Sequence, residues 1–454
     1  MKTTKKITLP EDEIPKQWYN ILADMPNQPQ PLLNPQTREP LTKEDMEQLF
    51  AKELVAQEFS KERYIDIPDE VRTLLKIYRP TPLVRASGLE KALDTPAKIY
   101  FKNESISPVG SHKLNSAIPQ AYYNKIQGIT HLTTETGAGQ WGCALSYAAK
   151  VFGLEAAVYQ VKISYEQKPY RRSIMQVFGA LVTPSPSMST RAGKDILTKH
   201  PNPQGSLGTA ISEAVELARM TPGCKYTLGS VMNHVTLHQT VIGLEAEKQM
   251  EKAGDYPDIV IGCFGGGSNF GGITFPFLRH CFSGERKTRF IAAEPAACPK
   301  LTQGKFEYDY GDEAGYTPLL PMYTLGHSFQ PSNIHAGGLR YHGAGTIVSQ
   351  LYKDGLMEAT SVQQLETFKA GMMFANSEGI IPAPESCHAI AVAVREAQRA
   401  KEEGKEKTIL FNLSGHGMID LYAFEQYFAN NLVDHELPEE EIRRAVDALD
   451  KIIK

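Results

Sequence analysis

Short apolar runs alternate with amphipathic stretches of helical length along most of this chain. The apolar runs lie at 98–102, 131–136, 156–161, 180–183, 258–263, 289–294 and 408–413, and the helical stretches lie at 139–152, 170–178, 237–253, 362–377 and 386–403. Strands of about five residues that alternate with longer helices are typical of βαβ units, whose parallel strands are buried on both faces. The pattern therefore predicts an α/β fold built on mostly parallel sheets flanked by helices.

The composition excludes several classes of protein. The 454 residues include 48 Lys plus Arg against 52 Asp plus Glu, and this near balance argues against a nucleic-acid partner. No run reaches the roughly 18 apolar residues of a transmembrane helix, and the first 18 residues lack a signal-peptide core. The six cysteines are scattered without a C-x-x-C pair. We therefore expect a cytoplasmic protein with reduced thiols and no membrane partner.

Two clusters of glycines follow apolar runs, near residues 137 and 266, and they suggest two sheets that face one cleft. The first 90 residues are rich in proline and charge and predict an extended arm with short helices, such as one at 43–58. The expected division of the chain is an arm at 1–80 that packs on the larger domain, a smaller α/β domain at 81–229, and a larger α/β domain at 230–454 that ends in a helical tail.

The first glycine junction reads TGAGQWG at 136–142 and formally matches G-x-G-x-x-G between a strand and a helix. A dinucleotide site would also need an acidic residue at the end of the next strand, but that strand ends YQVKI at 159–163. Bare N–H groups at a helix start would instead suit a carboxylate. Tight packing of strand against helix, with no ligand, is the alternative.

The second glycine junction reads GGGSN at 265–269 and directly follows an apolar strand. Three consecutive glycines let the backbone wrap an anion, and Ser268 and Asn269 can add donors. The Lys-Ser/Thr ending of a nucleotide-binding P-loop is missing. The junction therefore predicts a phosphate cup, with an ordinary glycine-rich loop as the alternative.

Lys113 begins a predicted helix in the segment SPVGSHKLN at 107–115. Most lysines at such positions are solvated surface charges, but a helix N-terminus is unfavourable for a cation. Lys113 is better explained as an uncharged imine with an aldehyde. An imine-forming lysine and a remote phosphate cup together indicate pyridoxal 5′-phosphate, which has its aldehyde and its phosphate on different sides of one ring.

Two further polar residues end apolar strands. Ser414 follows the strand at 408–413, and its hydroxyl could bind a pyridine nitrogen without fully protonating it; a plain turn serine is the alternative. Glu135 precedes the first glycine junction and is a candidate catalytic carboxylate. A solvated acid that caps the next helix is its alternative.

These pieces, in this order, resemble the β chains of tryptophan synthase, a family of fold type II pyridoxal-phosphate enzymes. The matching stretches are GSHKLN at 110–115, TETGAGQWG at 134–142, RRSIMQVFGALVTP at 171–184, GCFGGGSN at 262–269, HAGGLRYHG at 335–343, GIIPAPESCHA at 379–389 and NLSGHG at 412–417. The resemblance covers about residues 80–420. It implies two α/β domains with the active site in the cleft between them.

Several departures from the common form resemble the second, divergent type of this β chain. The chain has a longer N-terminal arm and a C-terminal tail that runs to Lys454. Trp141 stands where the common form has a histidine, and His416 where an arginine is usual. Arg340 replaces an aspartate that contacts the substrate hydroxyl, so we expect a shift of the amino-acid donor toward O-phosphoserine. The alternative is that Arg340 pairs with a local carboxylate, such as Glu385 or Asp420, and does not meet the substrate.

The resemblance implies a β-replacement that makes L-tryptophan from indole and L-serine or O-phospho-L-serine. Lys113 and Glu135 would be catalytic. The cofactor would be bound by His112, Lys113, Asn115, Gly265, Gly266, Gly267, Ser268, Asn269, Glu385 and Ser414, and the substrate by Thr136, Gly137, Ala138, Gly139, Gln140, Trp141 and Arg340. The family also suggests a homodimer, a monovalent cation near the glycine cup and an α chain as a partner, although the departures argue against the α chain. No other metal site is predicted.

Two other functions compete with this interpretation. One keeps the cofactor and gives a thiol-using β-replacement enzyme or a serine or threonine deaminase, but Glu135 would have no clear role toward a thiolate. The other is a catalytically silent, cofactor-containing scaffold, and the intact Lys113 argues against it.

Overall fold

The computed structural model describes residues 5–435, 437, 439–447 and 449. Its strands are β1 (Lys6–Ile7), β2 (Gln17–Tyr19), β3 (Tyr64–Asp66), β4 (Leu83–Arg85), β5 (Lys98–Asn103), β6 (His131–Thr136), β7 (Glu155–Val161), β8 (Leu181–Ser185), β9 (Cys224–Tyr226), β10 (Ile259–Cys263), β11 (Arg289–Pro295), β12 (Lys305–Tyr310), β13 (Leu319–Thr324), β14 (Glu358–Val362) and β15 (Thr408–Leu413).

The helices lie between these strands and at both ends of the chain. They are α1 (Lys43–Glu47), α2 (Lys52–Glu58), α3 (Asp69–Leu75), α4 (Ser87–Leu93), α5 (Leu114–Ile126), α6 (Gln140–Phe152), α7 (Lys162–Gln167), α8 (Pro169–Val177), α9 (Arg191–Lys199), α10 (Leu207–Met220), α11 (Asn233–Gln239), α12 (Val241–Ala253), α13 (Ser268–Phe282), α14 (Thr346–Lys353), α15 (Gln364–Glu378), α16 (Pro384–Glu403), α17 (Leu421–Phe428) and α18 (Glu439–Asp447). Within the described residues, no helix combines the length and the apolar character that crossing a membrane requires.

The larger sheet has seven strands in the order β1-β4-β5-β15-β10-β11-β14. Its five consecutive strands from β5 to β14 are parallel. At one edge, β4 pairs with β5 in antiparallel orientation, and β1 pairs with β4 in the same way. The central strands β10 and β15 are buried along their whole length, because helices cover both faces of the sheet. Their apolar sequences are the runs from which parallel strands were predicted.

The smaller sheet has four parallel strands in the order β8-β7-β6-β9. Two sheets with predominantly parallel strands and flanking helices confirm the predicted α/β class. Strands β4 and β5 belong to the larger sheet, although they follow the boundary expected at residue 81. The division of the chain into domains at 81 and 230 remains a prediction.

The N-terminal segment packs closely on the rest of the protein. Trp18 and Tyr19 are fully buried, and β2 pairs with β3. The single helix predicted at 43–58 is two helices, α1 and α2, because Leu49 and Phe50 turn into the core between them.

The helix predicted at 237–253 is also interrupted. It divides into α11 and α12 at Thr240. The hydroxyl of Thr240 donates to the carbonyl oxygen of Leu237 at 2.7 Å and accepts the backbone N–H of Tyr19 at 3.0 Å. At each interruption, a residue between the two helices contacts a part of the chain that is distant in sequence.

Candidate active site

The carboxyl ends of β6, β10 and β15 border one cleft between the two sheets. Its volume, including space that is open to solvent, is about 650 Å³. The lining residues are His112, Lys113, Glu135, Thr136, Gly137, Ala138, Gln140, Trp141, Leu207, Gly229, Ser230, Cys263, Gly265, Gly266, Gly267, Ser268, Asn269, Gly337, Gly338, Leu339, Glu385 and Ser414. Most of the residues proposed from the sequence therefore lie together.

Lys113 is the residue that immediately precedes α5. Its Nζ donates to the carbonyl oxygen of Gly229 and to Ser268 Oγ, the latter at 3.1 Å. Burial lowers the pKa of Lys113 to about 8. Roughly a tenth of this amine is therefore uncharged at pH 7, far more than of an ordinary lysine, and attack on an aldehyde requires the uncharged form.

The glycine cup, residues 265–267, joins β10 to α13. Gly267 has a φ of +115° and caps α13, a backbone conformation that favours glycine. A Cβ at Gly265 would lie 2.6 Å from the carbonyl oxygen of Gly338, and one at Gly266 would lie 2.6 Å from Ser230 Oγ. The cup therefore accepts only glycine at these positions, and the free N–H groups of the helix start suit a phosphate.

His112 lies beside Lys113 and is buried. Its backbone N–H donates to the carbonyl oxygen of Ser414 at 2.9 Å, and its ring Nδ1 lies 3.3 Å from the same oxygen. Burial, with the nearby charge of Lys113, lowers the pKa of His112 to about 3, so the ring is neutral. Its buried Nε2 has no partner among the described groups, and a polar atom of a bound cofactor would satisfy it.

Ser414 follows β15 on another wall of the cleft. Its Oγ lies 2.7 Å from Ser386 Oγ and 3.4 Å from Cys263 Sγ. Burial raises the pKa of the Cys263 thiol to about 12, so both neighbours are neutral. A neutral hydroxyl suits a ring nitrogen that is to stay unprotonated. A buried amine, an all-glycine cradle and this hydroxyl together fit pyridoxal 5′-phosphate.

The first glycine junction lies across the cleft and is also closely packed. Gly139 has a φ of +99° and caps α6, and a Cβ there would lie 2.7 Å from Arg171 Cβ. A Cβ at Gly137 would lie 2.7 Å from the carbonyl oxygen of Gly337. Trp141 Nε1 donates to Thr134 Oγ1 at 2.6 Å, which fixes the indole ring at the cleft wall. The junction thus presents a helix start to the cleft, where a carboxylate can bind.

Glu385 links the first glycine junction to the 337–339 turn through hydrogen bonds. Its two carboxylate oxygens accept the Gln140 Nε2–H at 3.0 Å and the Gly338 N–H at 2.9 Å. Both partners line the cleft. Glu385 therefore helps to hold the 337–339 turn beside the first glycine junction.

Glu135 is the only acid besides Glu385 that lines the cleft within the part of the chain that the structure describes. It is 6% exposed, and Tyr226 donates its hydroxyl to Glu135 Oε2 at 2.5 Å. Burial raises the pKa of Glu135 to about 7. A carboxyl group with a pKa near neutral can accept and return a proton, as a general base must.

An apolar pocket adjoins the cleft at Glu135, Leu207 and Ser230, and its volume, including space that is open to solvent, is about 530 Å³. Its other lining residues are predominantly apolar or aromatic and include Leu49, Phe50, Ile211, Tyr226, Leu228, Val231, Met232, Leu320 and Tyr341. A flat aromatic substrate would fit this surface, with Glu135 at the boundary between the two spaces.

Three of the residues proposed from the sequence are not among the residues that line the cleft: Gly139, Asn115 and Arg340. Asn115 Oδ1 accepts from the Tyr78 hydroxyl at 2.6 Å and from Arg79 Nη1 at 2.8 Å, and its amide donates to Glu104 at 2.9 Å. Asn115 therefore belongs to a buried polar network behind α5.

Arg340 is the third of these residues. Its Nη2 donates to the carbonyl oxygen of Pro331 at 2.9 Å, whereas the preceding Gly338 and Leu339 line the cleft. The side chain is only 8% exposed, and burial lowers its pKa. Neither Glu385 nor Asp420 pairs with it: Asp420 binds Lys168 and Arg171 instead. The structure does not bring Arg340 together with the other proposed substrate residues.

Reasoning from the sequence missed several residues at the cleft and at the adjoining apolar pocket. Gly229 and Ser230 form a turn after β9, and a Gly-Ser pair is a turn signal that could have drawn attention to them. Gly337 lies within the HAGGLRYHG stretch but was given no role. Tyr226 carries no local signal, because its proximity to Glu135 arises only from the pairing of β6 with β9.

The fold, the buried lysine and the glycine cup define the class of pyridoxal-phosphate enzymes. The sequence model of the family described as "Pyridoxal-phosphate dependent enzyme" matches residues 74–415. The chain is 59% identical to tryptophan synthase beta chain 2 of Thermotoga maritima over 92% of this chain and 99% of that protein. It is 56% identical to the protein of that name from Methanosarcina mazei over 94% of this chain and 97% of that one. The chain therefore belongs to the pyridoxal-phosphate dependent enzymes, within the tryptophan synthase beta chains of the second type.

Solved structures agree on the fold. A fungal L-serine ammonia-lyase from Rhizomucor miehei superposes with a TM-score of 0.57 over 78% of this chain and 98% of that chain, at 17% identity. Such a distant likeness supports the architecture alone. The family and the fold predicted from the sequence are both confirmed.

Proposed function

We propose that this enzyme makes L-tryptophan from indole and L-serine by a pyridoxal-phosphate dependent β-replacement. One observation carries the proposal: Glu135, with its pKa raised to about 7, borders both the lysine cleft and the apolar pocket. The relatives' name, tryptophan synthase beta chain 2, supports it.

The cofactor would be bound at two points, its phosphate and its ring nitrogen. Gly265, Gly266, Gly267 and the start of α13 would bind the phosphate through backbone N–H groups, and Ser414 would face the ring nitrogen. When bound, pyridoxal 5′-phosphate withdraws electrons from the α-carbon of an amino acid, which acidifies the α-proton and lets the β-substituent leave.

Lys113 performs the proton transfer at the α-carbon. Its Nζ lies at the cleft surface, and its lowered pKa lets the free amine act as a base near neutral pH. The backbone donors at 136–141 hold the substrate carboxylate at the start of α6, so the α-carbon is kept within reach of Nζ.

Indole occupies the apolar pocket and reacts at its C3. Glu135 lies at the mouth of this pocket, where its carboxylate can accept the indole N–H and take that proton as the new C–C bond forms. Tyr226 fixes the orientation of Glu135 through its hydroxyl. The apolar lining also keeps water from the activated amino acid, which water would otherwise destroy.

The rival enzymes of this fold are less well supported. A thiol-using enzyme or a serine or threonine deaminase needs neither an apolar pocket for a flat ring nor an acid at its mouth. A silent scaffold would not need a buried lysine with a lowered pKa.

L-Serine is the proposed donor. Lys113 is the only lysine or arginine among the described residues that line the cleft, and Arg340 contacts Pro331 elsewhere. A phosphorylated donor would bring a second dianion, for which a cationic partner would be expected.

The resemblance to the family also supports a cytoplasmic homodimer. The six cysteines are all unpaired, in keeping with reduced thiols. A monovalent cation near the glycine cup and an α-chain partner are proposed on the resemblance alone.

Product formation tests the proposal. The purified enzyme, loaded with pyridoxal phosphate, is incubated with indole and either serine or phosphoserine, and the products are separated and identified. Tryptophan from indole and serine is expected, with a change in visible absorbance on adding serine and a second on adding indole. Pyruvate and ammonia as the main products, unaffected by indole, would favour the deaminase.

A further inference from the structure

We propose that Glu58, in the N-terminal segment, is a positioning residue for this active site. It holds the loop at 229–232, which contacts Lys113, the glycine cup and the apolar pocket. The inference rests on the proposed function only where it assigns indole to the apolar pocket.

The 229–232 loop touches each part of the site. The carbonyl oxygen of Gly229 accepts from Lys113 Nζ and, at 3.1 Å, from Ser268 Oγ. Ser230 Oγ packs so closely on Gly266 that a Cβ there would lie 2.6 Å away. Ser230 and Val231 also line the apolar pocket. A shift of this loop would therefore disturb the lysine, the cup and the pocket together.

The loop has a backbone conformation that it would not keep without support. Val231 has a φ of +78°, which is strained for a β-branched side chain. Such strain persists only where the surrounding contacts hold it in place. The loop therefore needs an anchor at one or both of its ends.

Glu58 provides this anchor at the start of α11. One carboxylate oxygen accepts the backbone N–H of Asn233 at 3.0 Å, and the other accepts the backbone N–H of His234 at 3.0 Å and its ring Nδ1–H at 2.7 Å. The backbone oxygen of Glu58 accepts from Asn233 Nδ2 at 3.3 Å. Glu58 is 3% exposed, so these charge-assisted bonds are shielded from water.

Other residues of the same segment reach the site. Phe50 and Leu49 line the apolar pocket, and the Phe50 ring lies 5.7 Å from the ring of His234. The carbonyl oxygen of Leu49 accepts the backbone N–H of Tyr226, the partner of Glu135, at 2.9 Å. The N-terminal segment therefore forms part of the apolar pocket and contacts Tyr226, which binds Glu135.

Glu58→Gln tests the proposal with little change of shape. The substitution places an N–H₂ group opposite the N–H groups of Asn233 or His234, so at least one of these bonds is lost. We expect the dissociation constant for pyridoxal phosphate to rise ~10-fold, and KM for indole to rise ~5-fold, as the loss of a charge-assisted hydrogen bond implies. KM for serine, whose carboxylate binds across the cleft, should change less than about twofold.

Gln57→Met is the matched control. Gln57 Oε1 accepts from His238 Nε2–H at 2.7 Å, and Gln57 is similarly buried. It joins the same two helices, α2 and α11, but at the far end of α11. This variant should lose stability toward urea and keep the native affinity for pyridoxal phosphate.

The cofactor measurement needs no substrate, so it stands even if the product is not tryptophan. An unchanged dissociation constant in Glu58→Gln, or an equal rise in Gln57→Met, would overturn the proposal. If Glu58→Gln does not fold, Glu58→Asp is measured instead: it keeps the charge but shortens the reach, and a smaller rise supports the proposal whereas none refutes it.

Discussion

The two glycine junctions have the same backbone design and different chemical surroundings. In each, a strand leads into a helix through a glycine in the left-handed region, with a φ of +99° at Gly139 and +115° at Gly267. In each junction, a Cβ at two of the glycines would lie 2.6–2.7 Å from a neighbouring atom: at Gly137 and Gly139 in the first, and at Gly265 and Gly266 in the second. The first junction is flanked by two carboxylates, Glu135 and Glu385, whereas Ser230, Ser268 and backbone groups surround the second.

This difference separates two tasks that a single junction could not perform. A phosphate dianion needs neutral or positive surroundings, and a nearby carboxylate would repel it. A proton-transferring acid needs burial without a strong counter-charge, which is what raises the pKa of Glu135. On the proposed function, the same strand-to-helix turn anchors the phosphate at one junction and forms part of the reacting surface at the other.

Lys113→Ala should have the largest effect on tryptophan formation, because Lys113 interacts with both junctions. Its Nζ donates to Ser268 at the second junction, and its pKa, which burial lowers, is raised in part by the charge of Glu135 at the first junction. Tryptophan formation should fall below detection, and the visible absorbance of lysine-bound cofactor should disappear. Lys125→Ala, an exposed lysine on the same helix, is the control. A borohydride-reduced cofactor adduct on another lysine of the Ala variant would contradict the assignment.

Glu135→Gln should have the next largest effect and should separate the two half-reactions. Serine should still be activated at the second junction's cofactor site, but tryptophan formation should slow by ~10²-fold or more, because a general base is lost. Stopped-flow absorbance follows the serine step, and product analysis follows the indole step. Equal losses in both steps would mean that Glu135 only supports the fold.

The same carboxyl group predicts a pH dependence. Activity toward indole should decline as the pH falls through about 7, because the Glu135 carboxylate becomes protonated and can no longer act as a base. Its folded pKa lies above its ordinary value of 4.5, so the unfolded state loses this proton first as the pH rises. The native enzyme should therefore lose stability relative to Glu135→Gln between pH 4.5 and about 7. Urea unfolding of both proteins at several pH values measures this difference. If the free energy of unfolding changed with pH in the same way in both, the prediction would be contradicted.

Features that depend on local sequence could be predicted, and features that depend on distant contacts could not. The strand at 131–136 was predicted with its observed bounds, because its apolar run and its terminal glycines are local signals. Lys113 was found from its own neighbours. Arg340 and Asn115 were placed by position in a motif, and a motif does not specify which way a side chain points. The role of Glu58 arises only when α2 packs on α11, a contact 175 residues apart along the chain.

Substitution of one glycine in each junction sharpens the comparison. Gly266→Ala should weaken the binding of pyridoxal phosphate by ~10- to 100-fold, because its Cβ would overlap Ser230 Oγ at 2.6 Å and overpacking costs roughly 1–3 kcal/mol. Gly139→Ala should retain the cofactor and raise KM for serine instead. Gly254 has a positive φ of +70°, as Gly139 does but Gly266 does not, and nothing lies within 4 Å of its Cβ position, so Gly254→Ala reports the backbone strain alone. Equal loss of cofactor in both junction variants would mean that they do not have separate tasks.

Arg340→Met should have the smallest effect on the reaction and tests whether the first junction needs an added cation. The Arg340 guanidinium donates to the carbonyl oxygen of Pro331, so its removal should cost stability of about 1–3 kcal/mol, as the loss of a buried charged hydrogen bond does. Since no described contact links it to the cleft residues, the ratio of kcat/KM for serine to that for phosphoserine should stay within about twofold of the native value. Urea unfolding measures the first effect, and paired kinetics with the two donors measure the second. If phosphoserine alone lost ~30-fold or more, equivalent to about 2 kcal/mol, Arg340 would have to reach the donor during turnover. The first junction would then bind the phosphate of the donor in addition to its carboxylate. It would resemble the glycine cup in binding a phosphate, despite the two nearby carboxylates of Glu135 and Glu385.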